Sequence, residues 1–112
     1  MRASSPVWLD IVRHKVCHVR APYMLILQHH DIPGPNRLAA PVSLAGAGVS
    51  SFVAPCVHVK GTEYRVRLLD MSPVPRTMLT AIVTSAAEER DAIMNALDTV
   101  LYGYPVGRPT MN

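Results

Sequence analysis

Four polar side chains of one expected hairpin could form a catalytic group. Lys60-Gly61 is a two-residue loop between two apolar–polar alternating runs, which predicts a β-hairpin. In that hairpin His58 pairs with Glu63, and Arg65 and Arg67 lie on the same face. A general base beside arginines could cleave RNA, because guanidinium groups stabilise a phosphorane. The same residues are typical of a solvated sheet face with one cross-strand pair, which we favour.

Two other groups are weaker candidates for chemistry. His29-His30-Asp31 offers metal ligands, but adjacent residues of a strand point to opposite faces, so one ion could not easily take both imidazoles. Cys17 and Cys56 lie in no motif that would activate a nucleophile, and we expect small buried or half-buried thiols. Zinc spacings and Gly-rich phosphate loops are absent from the sequence, so we expect neither a catalytic residue, a metal nor a cofactor.

Length and composition favour one small β-rich domain over residues 1–112. The chain is 49% hydrophobic and contains ten prolines, which suit strands and turns better than a helical bundle. The net charge of +3 is mild, and the basic residues are scattered, so nucleic-acid binding by the chain alone is not indicated. The longest apolar run, Tyr23–Leu27, is too short to cross a membrane. We therefore expect a soluble cytoplasmic protein with reduced thiols.

Apolar and β-branched runs predict the strands. We expect Tyr23–Gln28 to be central and buried on both sides, and Pro41 to place its strand at an edge or a bulge. Met1–Pro6 reads as a loose tail, His29–Asn36 as a loop and Asp70–Pro75 as a turn. The expected strands are Val7–Val12, Tyr23–Gln28, Arg37–Leu44, Pro55–Val59, Thr62–Leu68 and Arg76–Thr84.

The alternation of side chains fixes the register of the hairpin. A slip by one residue would bury its charges, so the pattern permits one pairing. The inward face should carry Val57, Val59, Tyr64, Val66 and Leu68. The expected pairs are Val59 with Thr62, His58 with Glu63, Val57 with Tyr64 and Cys56 with Arg65.

The segment Ser85–Tyr104 predicts an amphipathic helix. Ser85 and Glu88 have the spacing of a capping box, and Gly103 can end the helix at positive φ. Its polar face carries Glu88, Glu89, Asp91, Asn95 and Asp98. Its apolar face carries Ile93, Ala96, Leu97, Val100 and Leu101.

The helix ends in Tyr102-Gly103-Tyr104, which allows two interpretations. The aromatic rings could fold back onto the sheet as an ordinary helix end. They could instead form an exposed tip that binds another protein, because tyrosine is enriched at interface hot spots. The residues alone do not decide between these alternatives.

The order of several short motifs resembles the CcdB family of toxins from toxin–antitoxin modules. The pattern runs through His58-Val59, Tyr64-Arg65, Asp70-Met71 and Val74-Pro75, in HVKGTEYRVRLLDMSPVP. Supporting matches are the apolar strand that leads to Gln28, Pro33-Gly34, Arg37, Pro41, Ala96 and the aromatic-Gly-aromatic ending. The resemblance covers about Val7–Tyr104.

The resemblance implies a fold, partners and an activity. The fold would be mainly β, an SH3-like partly open β-barrel of the CcdB/MazF-Kid type, with a small extra sheet and one C-terminal helix. Such proteins are homodimers that bind the A subunit of DNA gyrase and trap the gyrase–DNA cleavage complex. A CcdA-like antitoxin neutralises the toxin and, together with it, represses the operon on operator DNA. The chain would then be an inhibitor that acts by binding and not an enzyme.

By position, the resemblance assigns gyrase binding to the end of the helix. Tyr102 stands where the family has Trp, and the other implied positions are Gly103, Tyr104, Val100, Asp98 and, in the first strand, Trp8. An extension, Pro105–Asn112, continues beyond the usual end of the family. Two alternatives stay open: an endoribonuclease of the MazF/Kid type, which shares this barrel, and a diverged, inactive member with a regulatory role.

Overall fold

The computed structural model describes residues 6–15, 21–44 and 52–103. Three short 3₁₀ turns, Leu68–Asp70, Arg76–Met78 and Ala87–Glu89, connect the later elements. The strands and helix of these ranges are β1 (Asp10–His14), β2 (Tyr23–Ile26), β3 (Asn36–Leu44), β4 (Cys56–Val59), β5 (Thr62–Val66), β6 (Ser72–Pro75), β7 (Leu79–Ser85) and α1 (Arg90–Tyr102).

The strands form one antiparallel sheet in the order β4-β5-β3-β2-β1-β7, and β6 pairs with β3. The sheet curls into an open half-barrel that carries a single helix within the described residues, which confirms the predicted fold class. The central position of β2 is also confirmed, since it lies between β3 and β1 and all four of its residues are buried.

The long strand β3 changes partner along its length. It pairs with β6 over residues 36–39 and with β5 over residues 42–44. Pro41 lies between these two stretches, and its carbonyl accepts a hydrogen bond from the Arg67 amide at 2.8 Å. The N–H and C=O of one strand residue point to the same neighbouring strand. Proline has no N–H, and at position 41 the N–H would point between the stretches paired with β5 and β6, where the ladder needs no donor. The expectation that Pro41 places its strand at an edge or a bulge is therefore wrong, because β3 has partners on both sides and keeps a regular register with β2 through Pro41.

Strand β6 replaces the expected turn Asp70–Pro75. Ser72 and Val74 pair with Ala39 and Arg37. The Arg76 amide donates to the Pro35 carbonyl at 2.9 Å. Since alternate residues of a strand point their amides to the same side, the amides of Ser72 and Val74 also face β3. The two prolines of β6 have the opposite parity and face away from β3, where no ladder donor is needed.

The β4–β5 hairpin has the predicted register, with His58 opposite Glu63 and Cys56 opposite Arg65. Its turn residues, Lys60 and Gly61, have φ of 53° and 82°. Positive φ at both positions matches the right-handed twist of the flanking strands. Of the predicted inward side chains, Val57, Val59, Val66 and Leu68 are fully buried and Tyr64 packs partly buried against them.

The helix rests on the larger of two hydrophobic clusters. Ile93 and Ala96 are buried in that cluster, and Leu97 and Val100 pack against it. The prediction that Leu101 belongs to the same buried face is wrong, because this side chain is 56% exposed. Leu101 lies in the last turn, beyond the residues that contact the core.

The helix begins later than expected. Ser85 is the last residue of β7 because the Ala86 amide donates to the Leu9 carbonyl at 2.8 Å and prolongs the strand contact. The Ser85 hydroxyl accepts from the Ala87 amide at 3.1 Å and not from Glu88, so the predicted capping box is wrong. The 3₁₀ turn at Ala87–Glu89 then leads into α1.

The first strand begins at Asp10 and not at Val7. Residues 8 and 9 form a turn in which Leu9 has φ of 67° although its side chain is buried. The buried Asp10 carboxylate accepts from the Val7 amide at 2.9 Å and closes this turn. Trp8 therefore precedes the sheet.

The second cluster lies on the opposite face of the sheet. Its main members, Val12, Met24, Ile26, Ala39 and Leu79, are at most 8% exposed in a single protomer. The described residues of one protomer therefore bury this face themselves. Among those residues, α1 is too short and too polar to span a membrane.

The hairpin turn predicts opposite effects for adjacent substitutions. Gly61→Ala should lower the free energy of unfolding by about 1 kcal/mol, because alanine resists φ of 82°. Lys60→Asn should raise it by about 0.5 kcal/mol, because asparagine tolerates the left-handed region better than lysine. Urea denaturation measures both changes. Equal effects of the same sign would contradict a turn with positive φ at both positions.

Candidate functional site

The last turn of α1 presents apolar surface that the fold does not use. Leu101 is 56% exposed and Tyr102 is 76% exposed, whereas Ile93 and Ala96, nearer the beginning of α1, are buried. A side chain with this exposure is not packed on the sheet, so Tyr102 does not fold back onto it. This geometry favours the exposed-tip interpretation for Tyr102.

Gly103 closes the helix in a conformation that requires glycine. Its φ is 93° and its ψ is −151°, and its amide donates to the Thr99 carbonyl at 2.8 Å. A Cβ atom added at Gly103 would meet no heavy atom of residues 6–15, 21–44 or 52–103 within 4 Å. With respect to these residues the surface around Gly103 is open, and a larger side chain would project from it.

The other predicted tip residues have different environments. Asp98 is exposed one turn before Tyr102, and residues four apart share a helix face. Val100 packs partly buried against the main cluster and so anchors the last turn. Tyr104 lies outside the described residues. Leu101 was missed as a tip residue because the helical period assigned it to the core, although its side chain is 56% exposed.

Trp8 lies at the beginning of the helix. The Arg90 guanidinium sits over the Trp8 ring at 5.5 Å from its centroid, and the ring packs partly buried on the main cluster. Twelve residues of helix, about 18 Å, separate Arg90 from Tyr102. The structure therefore brings Asp98, Leu101, Tyr102 and Gly103 together and does not bring Trp8 to them.

The two adjacent histidines adopt an arrangement that the sequence did not predict. His29 and His30 follow β2 in a turn, and their rings stack at 4.1 Å with an interplanar angle of 24°. The expectation that they point to opposite faces is wrong because they are not in a strand. The Nδ1 atoms accept from backbone amides, His29 from Asp31 at 3.1 Å and His30 from Trp8 at 3.4 Å. These bonds stabilise the turn and leave only the Nε2 atoms for a ligand.

The arginines of the hairpin do not assemble around His58. One guanidinium nitrogen of Arg65 donates to the Ala54 carbonyl at 3.0 Å. The Nε of Arg67 donates to the Asp70 carboxylate at 2.8 Å. His58 and Glu63 are exposed opposite each other, as predicted. This arrangement favours the solvated-face interpretation over a site for RNA cleavage.

The thiol of Cys56 is half-buried, as predicted for a thiol without a catalytic role. Burial raises its pKa, and a hydrogen bond and the negative charge of Glu63 raise it further, while Arg65 acts in the opposite direction. A raised pKa keeps the thiol protonated and makes it a poor nucleophile.

On the inner face of the hairpin, burial and the neighbouring Tyr23 raise the pKa of Tyr64, whose ring contacts Tyr23 edge to face at 5.4 Å.

Comparison with known proteins gives one family and a shared fold. The family model described as CcdB protein matches residues 10–103. A solved chain described as "Crystal structure of Mtb toxin" superposes with a TM-score of 0.65 at 16% sequence identity, over 80% of this chain and 97% of that chain. At this identity the likeness shows the fold alone. No curated protein matches the sequence significantly.

The burial pattern of the helix predicts a contrast between two aliphatic positions. Ile93→Ala should lower the free energy of unfolding by about 2–5 kcal/mol, because it leaves a cavity in the main cluster. Leu101→Ala should change it by less than about 0.5 kcal/mol, because this side chain lies at the surface. Urea denaturation measures both values. A large loss at Leu101 would show that the last turn is part of the core and not a free tip.

Proposed function

The chain belongs to the CcdB family of toxin–antitoxin toxins, and we propose that it binds the A subunit of DNA gyrase and traps the gyrase–DNA cleavage complex. The observation that carries this proposal is the exposure of Leu101 and Tyr102 on a helix end that the core holds in place. Gly103, with open space around it, completes the binding tip, a name we use for Asp98, Leu101, Tyr102 and Gly103.

The binding tip has the properties of a preorganised protein-binding element. Burying an aliphatic or aromatic side chain in a partner contributes roughly 1.5–3 kcal/mol of gross free energy. Ile93 and Ala96 already fix the helix, so little backbone order would be lost when Leu101 and Tyr102 bind. Asp98 adds a negative charge beside the aromatic ring, which would favour a basic side chain of the partner. Tyr104, Val100 and Trp8 remain proposed contributors to gyrase binding.

Assembly and control follow the family pattern in this proposal. The chain acts as a homodimer that presents two binding tips to the gyrase A dimer. A CcdA-like antitoxin neutralises the toxin, and the two proteins bind operator DNA together. The mild charge of +3 supports a role for the antitoxin in DNA contact, because the toxin alone offers no dense basic run. We place this function in the cytoplasm, where gyrase and the antitoxin are found.

The alternatives have less support from the geometry. An endoribonuclease would need Arg65 or Arg67 near His58, yet these arginines bind Ala54 and Asp70. A diverged, inactive member is suggested by Tyr102 in place of the family Trp and by the extension Pro105–Asn112. Tyrosine retains an aromatic ring at 76% exposure, and this supports an active tip.

Gly103→Arg tests the binding tip in cells. Induced expression without an antitoxin should stop growth for the natural chain, and Gly103→Arg should restore it, because the added side chain blocks close approach of the partner. Gly34→Arg is the matched control, since Gly34 also has positive φ and open space but lies far along the chain from the helix. This control should remain toxic. Equal toxicity of the two variants, at equal protein levels, would overturn the proposed role of the tip.

A purified system separates gyrase poisoning from RNA cleavage. The natural chain, incubated with gyrase and supercoiled plasmid and then treated with detergent and protease, should yield linear DNA. Gly103→Arg should yield none, while its circular dichroism spectrum stays that of the natural chain. Cleavage of RNA by the natural chain, without linear DNA in the gyrase assay, would support the endoribonuclease and contradict the proposal.

A further inference from the structure

A cleft of about 420 Å³ separates the β4–β5 hairpin from the segment that leads into α1. His58 forms one wall, and Ser85, Glu88 and Glu89 belong to the other. Beside His58 on the hairpin, Cys56 and Glu63 complete a group of metal-ligating side chains. One ligand atom of each of the three residues lies within 4.8 Å of the other two.

The hairpin geometry brings these three ligands together. His58 and Glu63 are directly opposite in the ladder, and Cys56 is two residues before His58 on the same face. The two-residue turn with positive φ at Lys60 and Gly61 holds this register. Strand pairing therefore forms the cluster, and the sequence contains no spacing of cysteines and histidines typical of a zinc site.

A thiolate, an imidazole and a carboxylate are the three ligand types that Zn²⁺ takes in proteins, and the Cys56 thiol would release its proton when it binds the ion. At Zn–ligand bonds of about 2.0–2.3 Å, tetrahedral ligand atoms are about 3.2–3.8 Å apart. The exposed side chains of His58 and Glu63 can rotate to close the remaining gap of about an ångström from the observed spacing. We propose that Cys56, His58 and Glu63 bind one Zn²⁺ ion whose fourth position opens into the cleft.

The surroundings of the cluster suit a cation. Glu88 and Glu89 carry negative charge on the opposite wall of the cleft. Arg65, the pairing partner of Cys56, is the one positive charge among the described residues that acts on this thiol and opposes the cation, and one of its nitrogens is bonded to the Ala54 carbonyl at 3.0 Å. The other group of possible ligands, His29, His30 and Asp31, is a poorer site because backbone amides use both Nδ1 atoms.

Cobalt titration of the purified full chain tests this site. Co²⁺ bound by a thiolate gives a near-ultraviolet charge-transfer band, and we expect this band to saturate at one equivalent. Excess Zn²⁺ should abolish the band. Zn²⁺ should also raise the Tm of the natural chain, because a ligand that binds only the folded state stabilises it.

Matched variants identify the ligands. Cys56→Ser should lose the charge-transfer band, while Cys17→Ser, which removes the second cysteine, should retain it. Glu63→Gln should weaken Co²⁺ binding at least about tenfold, whereas Glu88→Gln, a change of the same type across the cleft, should weaken it by less than about threefold. His58→Ala should abolish the Zn²⁺-dependent rise in Tm. All variants should keep the circular dichroism spectrum of the natural chain.

Two results would overturn the site. Either the natural chain shows no saturable charge-transfer band, or Cys56→Ser retains the band and Cys17→Ser loses it. The assay uses no gyrase, so its outcome does not depend on the proposed toxin function. Conversely, Gly103→Arg should bind Co²⁺ like the natural chain, since Gly103 lies at the other end of α1 from the cleft.

Discussion

The position of the C-terminal helix depends on the burial of Ile93 and Ala96 in the main hydrophobic cluster. Ile93 is completely buried and Ala96 is 3% exposed. The small alanine side chain lets the helix approach the sheet closely, while isoleucine fills the space between them. Leu97 and Val100 continue this contact toward the end of α1, whereas Leu101 and Tyr102 lie outside it. The exposure of Leu101 and Tyr102 is thus a geometric consequence of where the helix is held.

The curled sheet, in turn, supplies the surface on which the helix rests. Strand β3 serves two partners in succession, and Pro41 occupies the gap between them. Because β5 and β6 pair with different parts of β3, the sheet curls into a half-barrel that stays open. The hairpin β4–β5 then carries Val57, Val59 and Val66 into the cluster beneath the helix. A single strand therefore positions both the helix support and the polar outer face of the hairpin.

Local patterns were sufficient where one face of an element is buried and the turn chemistry is specific. The hairpin register follows from strict alternation around Lys60-Gly61, and Ile93 and Ala96 follow from the helical period. Local patterns failed where tertiary contacts compete with them. Ser85 looks like a helix cap, but the hydrogen bond from the Ala86 amide to Leu9 keeps this segment extended. The prolines of β6 look like turn residues, although their parity makes them compatible with an edge strand.

The candidate sites were predictable to different degrees for the same reason. The exposed Tyr102 and Gly103 lie in one local segment, so the sequence could indicate them. Leu101 was misassigned because periodicity does not show which residues at the edge of an apolar helix face are covered by the core. Trp8 was placed by its expected strand, but the turn at Leu9 moves it beside Arg90. Cys56 and His58 lie on one strand and Glu63 on the next. The cluster could therefore be predicted only by comparing residues that are paired across the two strands.

Amide hydrogen exchange of the purified chain, with and without a saturating amount of the gyrase A protein, tests the proposed tip most directly. Binding through the tip predicts new protection at the end of α1, over residues 99–103, with little change in the β4–β5 hairpin. The amides of the last helical turn are close to solvent in the free chain, so protection there would be readily measured. Protection confined to the hairpin, or no protection at saturating gyrase A, would contradict gyrase binding through the helix end.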